Sequence, residues 1–264
     1  APAARVQALR DQVRDDRDAL EALAQERAAA TTAEARFALA MRLRSFRRHE
    51  DALTLLMLLR DHPDLQLNAR YNLAGVLATS GRAEEAIAAY SEVVTGVSAA
   101  LEQSPLELSG WRYVLWCRMR MAETSLPAGR YDDVLVHVDE GLRLPPQVFG
   151  AGDVGRLLVQ RALALVHGGR APAALVAAQD ALAAFAHEGV TERELLAVPT
   201  AALAAALAAT GREPEAREAL SRALDLVEGT TLDVFWVPSQ VHDLALLAFP
   251  DDAEVRARAE AVFP

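Results

Sequence analysis

The clearest pattern in the chain is a pair of short amphipathic segments between residues 69 and 93, separated by Gly81. In the first segment the apolar residues are three and four positions apart, and in the second they recur at i, i+4 and i+7, so in each segment they lie on one helix face. These positions are Leu73, Ala74 and Leu77 in the first segment and Ala86, Tyr90 and Val93 in the second. The small alanines allow close backbone approach, and Tyr90 is large enough to fill the space beside them. The pattern predicts two helices packed as an antiparallel hairpin.

The same pattern occurs once before this stretch and three times after it. A Gly-Arg pair opens four of the five turns, and the earliest turn has no glycine. The turns are Arg47-Arg48-His49, Gly81-Arg82, Gly129-Arg130, Gly169-Arg170 and Gly211-Arg212. The turn glycines lie 40 to 48 residues apart. Five copies in series predict a stack in which each hairpin covers the apolar side of its neighbour.

Over about residues 33–228 this pattern resembles the tetratricopeptide repeat (TPR). Leu77 stands where the family often has Tyr, Arg70 stands where it often has Trp, and the period exceeds the family value of about 34. The resemblance implies an all-α, right-handed α-solenoid of about five TPR-like hairpins with terminal capping helices. It also implies a concave groove, lined by the first helix of each hairpin, that binds a protein or peptide segment.

Three regions are predicted along the chain. Residues 1–30 form a charged N-terminal capping or docking helix, residues 31–228 form the repeat array, and residues 229–264 form C-terminal capping helices. The first helix has a heptad-like apolar stripe, so it either covers the first repeat or docks elsewhere, for example in a homodimer. The C-terminal helices would hide the last apolar face of the array.

Composition restricts the class of partner. The formal net charge is −10, which argues against nucleic acid because nucleic-acid binding needs a basic surface. Solubility explains this charge, and attraction of a basic partner is the alternative. The single cysteine, Cys117, excludes an internal disulfide and fits a cytoplasmic location. The most apolar run, 195–210, is shorter than the roughly 20 residues of a membrane span, so no membrane partner is expected.

Residues 150–155 match G-x-G-x-x-G literally. A dinucleotide site needs a strand directly before this motif, whereas Pro145-Pro146 precedes it here, so we interpret it as a loop between repeats. The six histidines are scattered, without H-E-x-x-H or Cys–His metal spacing, and no G-x-S-x-G elbow occurs. The sequence therefore predicts no catalytic residue, no metal, no cofactor and no enzyme activity.

The predicted groove supplies the candidate binding residues. Asparagine can bind a peptide backbone through both a donor and an acceptor, arginine can hold a carboxylate, and a tryptophan can anchor an interface. The alternative is that the tryptophan belongs to the core and the polar residues are merely solvated. The candidates are Asn68, Asn72, Trp116, Arg120, Glu123, Arg156 and Gln160.

Two functions are consistent with this pattern. The first is a scaffold or adaptor that holds a protein or peptide segment in the groove. The alternative is a peptide-sensing domain of a bacterial transcriptional or signalling regulator, which the long repeat favours. The lysine-and-asparagine clamp of chaperone-binding TPR proteins is not evident, which argues against a cochaperone role.

Overall fold

The computed structural model describes residues 30–103, 108–228 and 236–262. Within these ranges every regular element is a helix, so the prediction of an all-α fold built from helical hairpins is confirmed. The predicted N-terminal helix lies outside the described residues except for its last position. Its capping, docking or dimerising role stays a prediction.

The chain divides into two compact units, residues 1–100 and 101–264. The described part of the first unit contains two hairpins, and the second of these ends just beyond the boundary. In the first unit α1 packs on α2, and α2 packs on α3. The helices are α1 Ala33–Ser45, α2 His49–Leu59, α3 Gln66–Thr79 and α4 Ala83–Gln103.

Tyr90 joins the two helices of the second hairpin, as the sequence predicts. Its side chain is 1% exposed, and its ring centroid lies 5.7 Å from that of Tyr71. A Cβ added at Gly75 would lie 3.3 Å from the Tyr90 hydroxyl oxygen. The absence of a side chain at Gly75 thus lets the tyrosine lie close against α3.

The second unit continues with further helix pairs, and a short 3₁₀ turn, Pro146–Val148, precedes α7. Each helix packs on the next along the chain, from α5 to α12. The first helices of the pairs also contact one another in series, α5 with α7, α7 with α9, and α9 with α11. The helices are α5 Leu108–Ser125, α6 Tyr131–Leu142, α7 Asp153–His167, α8 Ala171–His187, α9 Arg193–Ala209, α10 Glu213–Val227, α11 Trp236–Ala248 and α12 Ala253–Val262.

Alanine dominates the helix contacts of the second unit. Ala162, Ala178 and Ala201 are fully buried in one continuous apolar core that extends from α7 to α12. A methyl side chain holds helix axes close together, and it loses almost no rotamer entropy when it is buried. The tight stacking of four first helices follows from this composition.

The five turns within hairpins have one common backbone geometry. In each turn the residue directly before the turn arginine has positive φ, and that arginine N–H donates to a carbonyl five residues earlier, which is a Schellman motif. The pairs are Arg48 to Leu43, Arg82 to Leu77, Arg130 to Ser125, Arg170 to Leu165 and Arg212 to Leu207. The arginine carbonyl then accepts the first hydrogen bond of the second helix. Each Gly-Arg pair therefore closes one helix and opens the next.

The turn arginines also carry a repeated side-chain contact. Arg82 binds both carboxylate oxygens of Glu85 at 2.7 Å, and Arg212 makes the same pair with Glu215. Arg170 has alanine three residues later and binds Asp132 of the preceding hairpin instead. These pairs are exposed to solvent, which screens them, so they contribute little to the stability of the fold.

Candidate functional site

A cleft of about 500 Å³ lies in the second unit, where the first helices of four successive pairs meet. Its size is in the range of about 300–1,000 Å³ found for ligand sites. Four of the seven predicted groove residues line it, and two further polar residues complete its wall. These six are Arg120 and Glu123 of α5, Arg156 and Gln160 of α7, Glu194 of α9 and Gln240 of α11.

The base of the cleft is apolar. Val159 and Val198 line it and are 8% and 3% exposed, so small parts of their surfaces reach the cavity, and half-buried Leu195 adds to them. Phe185 comes from α8, a second helix of its pair, and lies fully buried directly beneath the cleft because α7 has no side chain at Gly155. The base therefore offers a shallow apolar contact surrounded by polar groups.

Some of the charged side chains in the cleft already form a salt bridge, and others do not. Arg120 binds Glu123 through an Nη1–Oε2 contact of 2.7 Å, so these two charges neutralise each other. Arg156, by contrast, is exposed and makes no side-chain hydrogen bond or ion pair with another described residue. Glu194 of α9 is likewise without such a partner within the described ranges. The cleft thus holds one positive and one negative group that are free to bind a ligand.

Two amides lie beside these charges. The Oε1 atom of Gln160 is buried and has no hydrogen-bond donor among the described residues. A buried acceptor without a donor costs about 1–3 kcal/mol. Gln240, on α11, also makes no side-chain hydrogen bond within the part of the chain that the structure describes. An amide of this kind can bind a peptide N–H or C=O through either of its ends.

A second cavity of about 350 Å³ shares Glu123, Gln160 and Gln240 with the first. It extends the cleft toward the ends of α5 and α7, where the rings of Tyr131 and His167 stack with centroids 6.1 Å apart. Burial lowers the pKa of His167, and the charge of nearby Asp243 opposes this effect. The two cavities are adjacent because they share Glu123, Gln160 and Gln240, so together they offer more space than a single side chain needs.

Trp116 lies on α5, one helical turn before Arg120, and it lines neither cavity. It is 37% exposed, with its ring centroid 5.3 Å from that of Tyr113 in an edge-to-face arrangement. The Arg112 guanidinium lies 5.9 Å from the same ring. Trp116 is therefore a surface residue, and its predicted role as an anchor stays a prediction.

The two predicted asparagines lie in the first unit, where the Asn72 side chain is already bonded. Asn72 Oδ1 accepts a 3.3 Å hydrogen bond from Arg44, and its Nδ2 donates to the Asn68 carbonyl at 2.9 Å. Both ends of the Asn72 amide are thus already bonded. None of the residues that line the second-unit cleft belongs to this unit.

The G-x-G-x-x-G motif forms the entry to α7 and follows the 3₁₀ turn rather than a strand. Gly152 has φ +82° directly before the helix, and its N–H donates to the Glu188 carboxylate. The Gly150 N–H donates to Asp153 Oδ2 at 2.8 Å. Two carboxylates therefore lie at the helix N-terminus, where a phosphate would otherwise bind. The glycines serve the turn and the packing, which gives the interpretation as an inter-repeat segment its physical basis.

Sequence reasoning missed Glu194, Gln240 and Phe185. Glu194 and Val198 lie one turn apart, as do Gln240 and Leu244, which lines the second cavity, so one face of each helix points into the cleft. The sequence analysis assigned groove residues to α5 and α7. Assigning the same inward helix face to α9 and α11 would have found the two polar residues. Phe185 could not be found in this way because it belongs to a second helix.

Three further features were considered: metal-binding groups, membrane-spanning helices and the single thiol. In residues 30–103, 108–228 and 236–262, no three His, Cys, Asp or Glu side chains are grouped so that they could hold a metal ion. No helix in the same part of the chain is long and apolar enough to cross a membrane. Cys117 is buried on α5, and this burial raises the pKa of its thiol to about 12.

No family model matches the chain, and no curated protein matches it. Among solved structures, the chain is similar to a thermophilic TPR protein of Thermus thermophilus, with 19% sequence identity and a TM-score of 0.46. That match covers 88% of this chain and 98% of the other.

Proposed function

We propose that the chain is a binding module that holds an extended protein or peptide segment in the second-unit cleft. The observation that carries this proposal is the set of polar side chains there without partners, above all the buried Gln160 Oε1. Rotation of the Gln160 side chain toward the cleft would let a peptide N–H bond that acceptor, and this bond would remove the cost of leaving the acceptor unpaired. The cleft also continues past Gln160 into the second cavity, so a segment could lie along it.

The cleft combines features that favour binding over catalysis. Its titratable groups are a salt-bridged pair, one separate arginine and one separate glutamate, and it has no nucleophile–base pair among the residues that line it. An apolar base with a polar rim is the usual anatomy of a small recognition surface. We therefore assign the cleft to recognition.

A selection from a random peptide display library tests this function on the full chain. Gln160→Trp places a large ring between the two cavities, and Gln179→Trp on the exposed face of α8 is the matched control. Peptides enriched on the wild-type chain should bind Gln160→Trp at least about tenfold more weakly and Gln179→Trp with unchanged affinity. Circular dichroism of both variants shows whether they are folded. If nothing is enriched, or if enriched peptides bind both variants equally, the proposal is wrong.

A further inference from the structure

The two separate charges of the cleft, Arg156 on α7 and Glu194 on α9, define what kind of segment can cover it. They line the same 500 Å³ space, yet no ion pair joins them. Arg120 and Glu123 already neutralise each other on α5, so these two groups carry the remaining charge of the cleft wall. One cationic and one anionic group therefore line the cavity that a ligand would occupy.

We propose that the cleft selects a segment in which an apolar side chain lies between an acidic and a basic side chain. This inference rests on the proposed function and specifies its ligand. The acidic side chain would pair with Arg156, the basic one would pair with Glu194, and the apolar one would contact the base formed by Val159, Leu195 and Val198.

Desolvation explains why both charges of the segment are needed. A segment that covers the cleft removes water from Arg156 and Glu194 together. A ligand with only one charge leaves the other group buried and unpaired, which is strongly unfavourable. A ligand with both charges forms two charge-assisted contacts in a partly enclosed space, where they are stronger than in water. Selectivity comes mainly from the penalty on the wrong ligand.

The amides favour an internal stretch of chain over a chain terminus. Gln160 and Gln240 border both cavities, so they can bond the backbone of a segment that continues from one cavity into the other. The carboxylate in this proposal is accordingly an acidic side chain within the segment.

The test uses the same random peptide display library, followed by synthetic versions of its most enriched peptide with both ends blocked. Enriched sequences should carry an acidic, an apolar and a basic residue close together. Replacing the acidic residue by its amide should weaken binding to the wild-type chain about tenfold or more, but it should change binding to Arg156→Gln by less than about twofold. Replacing the basic residue by a neutral one should likewise weaken binding to the wild-type chain strongly, but it should barely change binding to Glu194→Gln.

Matched controls separate local pairing from general charge effects. Arg222→Gln and Glu218→Gln lie on the exposed face of α10, where neither side chain has a partner among the described residues. In each of these variants, replacing the acidic or the basic residue of the peptide should weaken binding as much as it does in the wild-type chain.

The outcomes distinguish the two proposals. If peptides bind in a way that Gln160→Trp abolishes, but their charges couple to neither Arg156 nor Glu194, the charge-pair inference is wrong and the binding function stands. Binding that needs a free peptide terminus would also overturn the inference. If no peptide is enriched, the binding function itself fails.

Discussion

The aromatic ring of Phe185 occupies the space in which any other residue at position 155 would place its Cβ. A Cβ built on Gly155 would lie 2.4 Å from the nearest ring carbon of Phe185, far inside the contact distance of two carbon atoms. The ring is fully buried, so it cannot move aside into solvent. This contact joins α7 to α8 directly beneath the cleft and brings the ring to the base of the cleft.

Gly155→Ala should therefore destabilise the second unit by about 1–3 kcal/mol, the usual cost of overpacking a filled core. Urea denaturation followed by circular dichroism measures this change. Gly96→Ala is the matched control, since Gly96 is also helical and has no heavy atom within 4 Å of its added Cβ. That control should stabilise the chain by about 0.5–1 kcal/mol because alanine is the better helix former.

A second substitution tests whether the clash with the ring is the cause. Phe185→Leu is smaller and should recover part of the loss when it is combined with Gly155→Ala, so the two changes should be non-additive. Strictly additive effects would show that the glycine acts through its backbone conformation and not through the ring.

Arg47 is the only non-glycine residue with positive φ in the described ranges, at φ 56°. It occupies the turn position that Gly81, Gly129, Gly169 and Gly211 fill in the other hairpins. The left-handed conformation costs a residue with a Cβ about 1–2 kcal/mol. Arg47→Gly should raise the free energy of unfolding by about 1 kcal/mol, and Gly211→Ala should lower it by a similar amount.

Denaturant midpoints of these variants and of Arg47→Lys provide the measurement. The lysine variant keeps the Cβ and the charge, so its stability should equal that of the wild type. A stabilisation by lysine as large as that by glycine would contradict the explanation from backbone strain.

The sequence predicted the hairpins because their information is local. Apolar spacing and the glycine at four of the five turns can both be recognised within a single hairpin, and Tyr90 lies in the core where the pattern predicted it. The left-handed backbone of Arg47 could not be predicted from such a local pattern. Its residue type opposes the conformation, which the hydrogen bonds of the common turn impose.

The candidate site was only partly predictable because it depends on contacts between helices. Arg156 and Gln160 share one face of α7, so their spacing identified them. Glu194 and Gln240 come close only because α9 packs between α7 and α11. The role of Gly155 depends on the ring of Phe185, which belongs to the next helix. Neither of these two contacts produces a pattern that can be recognised within one helix or one hairpin of the sequence.

The Cys117 thiol should be chemically inert in the folded chain. It is fully buried, and burial raises its pKa to about 12, so almost no thiolate is present near neutrality. Ellman's reagent at mildly alkaline pH should detect no thiol until guanidinium unfolds the chain. A Cys117→Ala chain with Ala99→Cys on the exposed face of α4 should react at once, which provides the positive control. Rapid reaction of the native wild type would contradict the packing of α5.

The ring of His137 on α6 should make the fold sensitive to mild acid. Burial and the positive charge of Arg118 lower its pKa, against the opposing charges of Glu140 and Asp133. The unfolded chain therefore takes up this proton first as the pH falls below the ordinary value of 6.5. By linkage the stabilisation is complete above that value and is lost as the pH falls toward the lowered pKa.

Two measurements check this expectation. The His137 ring resonance, assigned by its loss in His137→Gln, should titrate below pH 6.5 in an NMR experiment. The free energy of unfolding in urea should fall between about pH 7.5 and about pH 5.5, and it should fall less in His137→Gln than in the wild type. Because glutamine cannot take up the proton, the difference between the two chains isolates the histidine from all other acid-sensitive groups. An equal fall in both chains would show that His137 is accessible enough to be protonated without cost in the folded state.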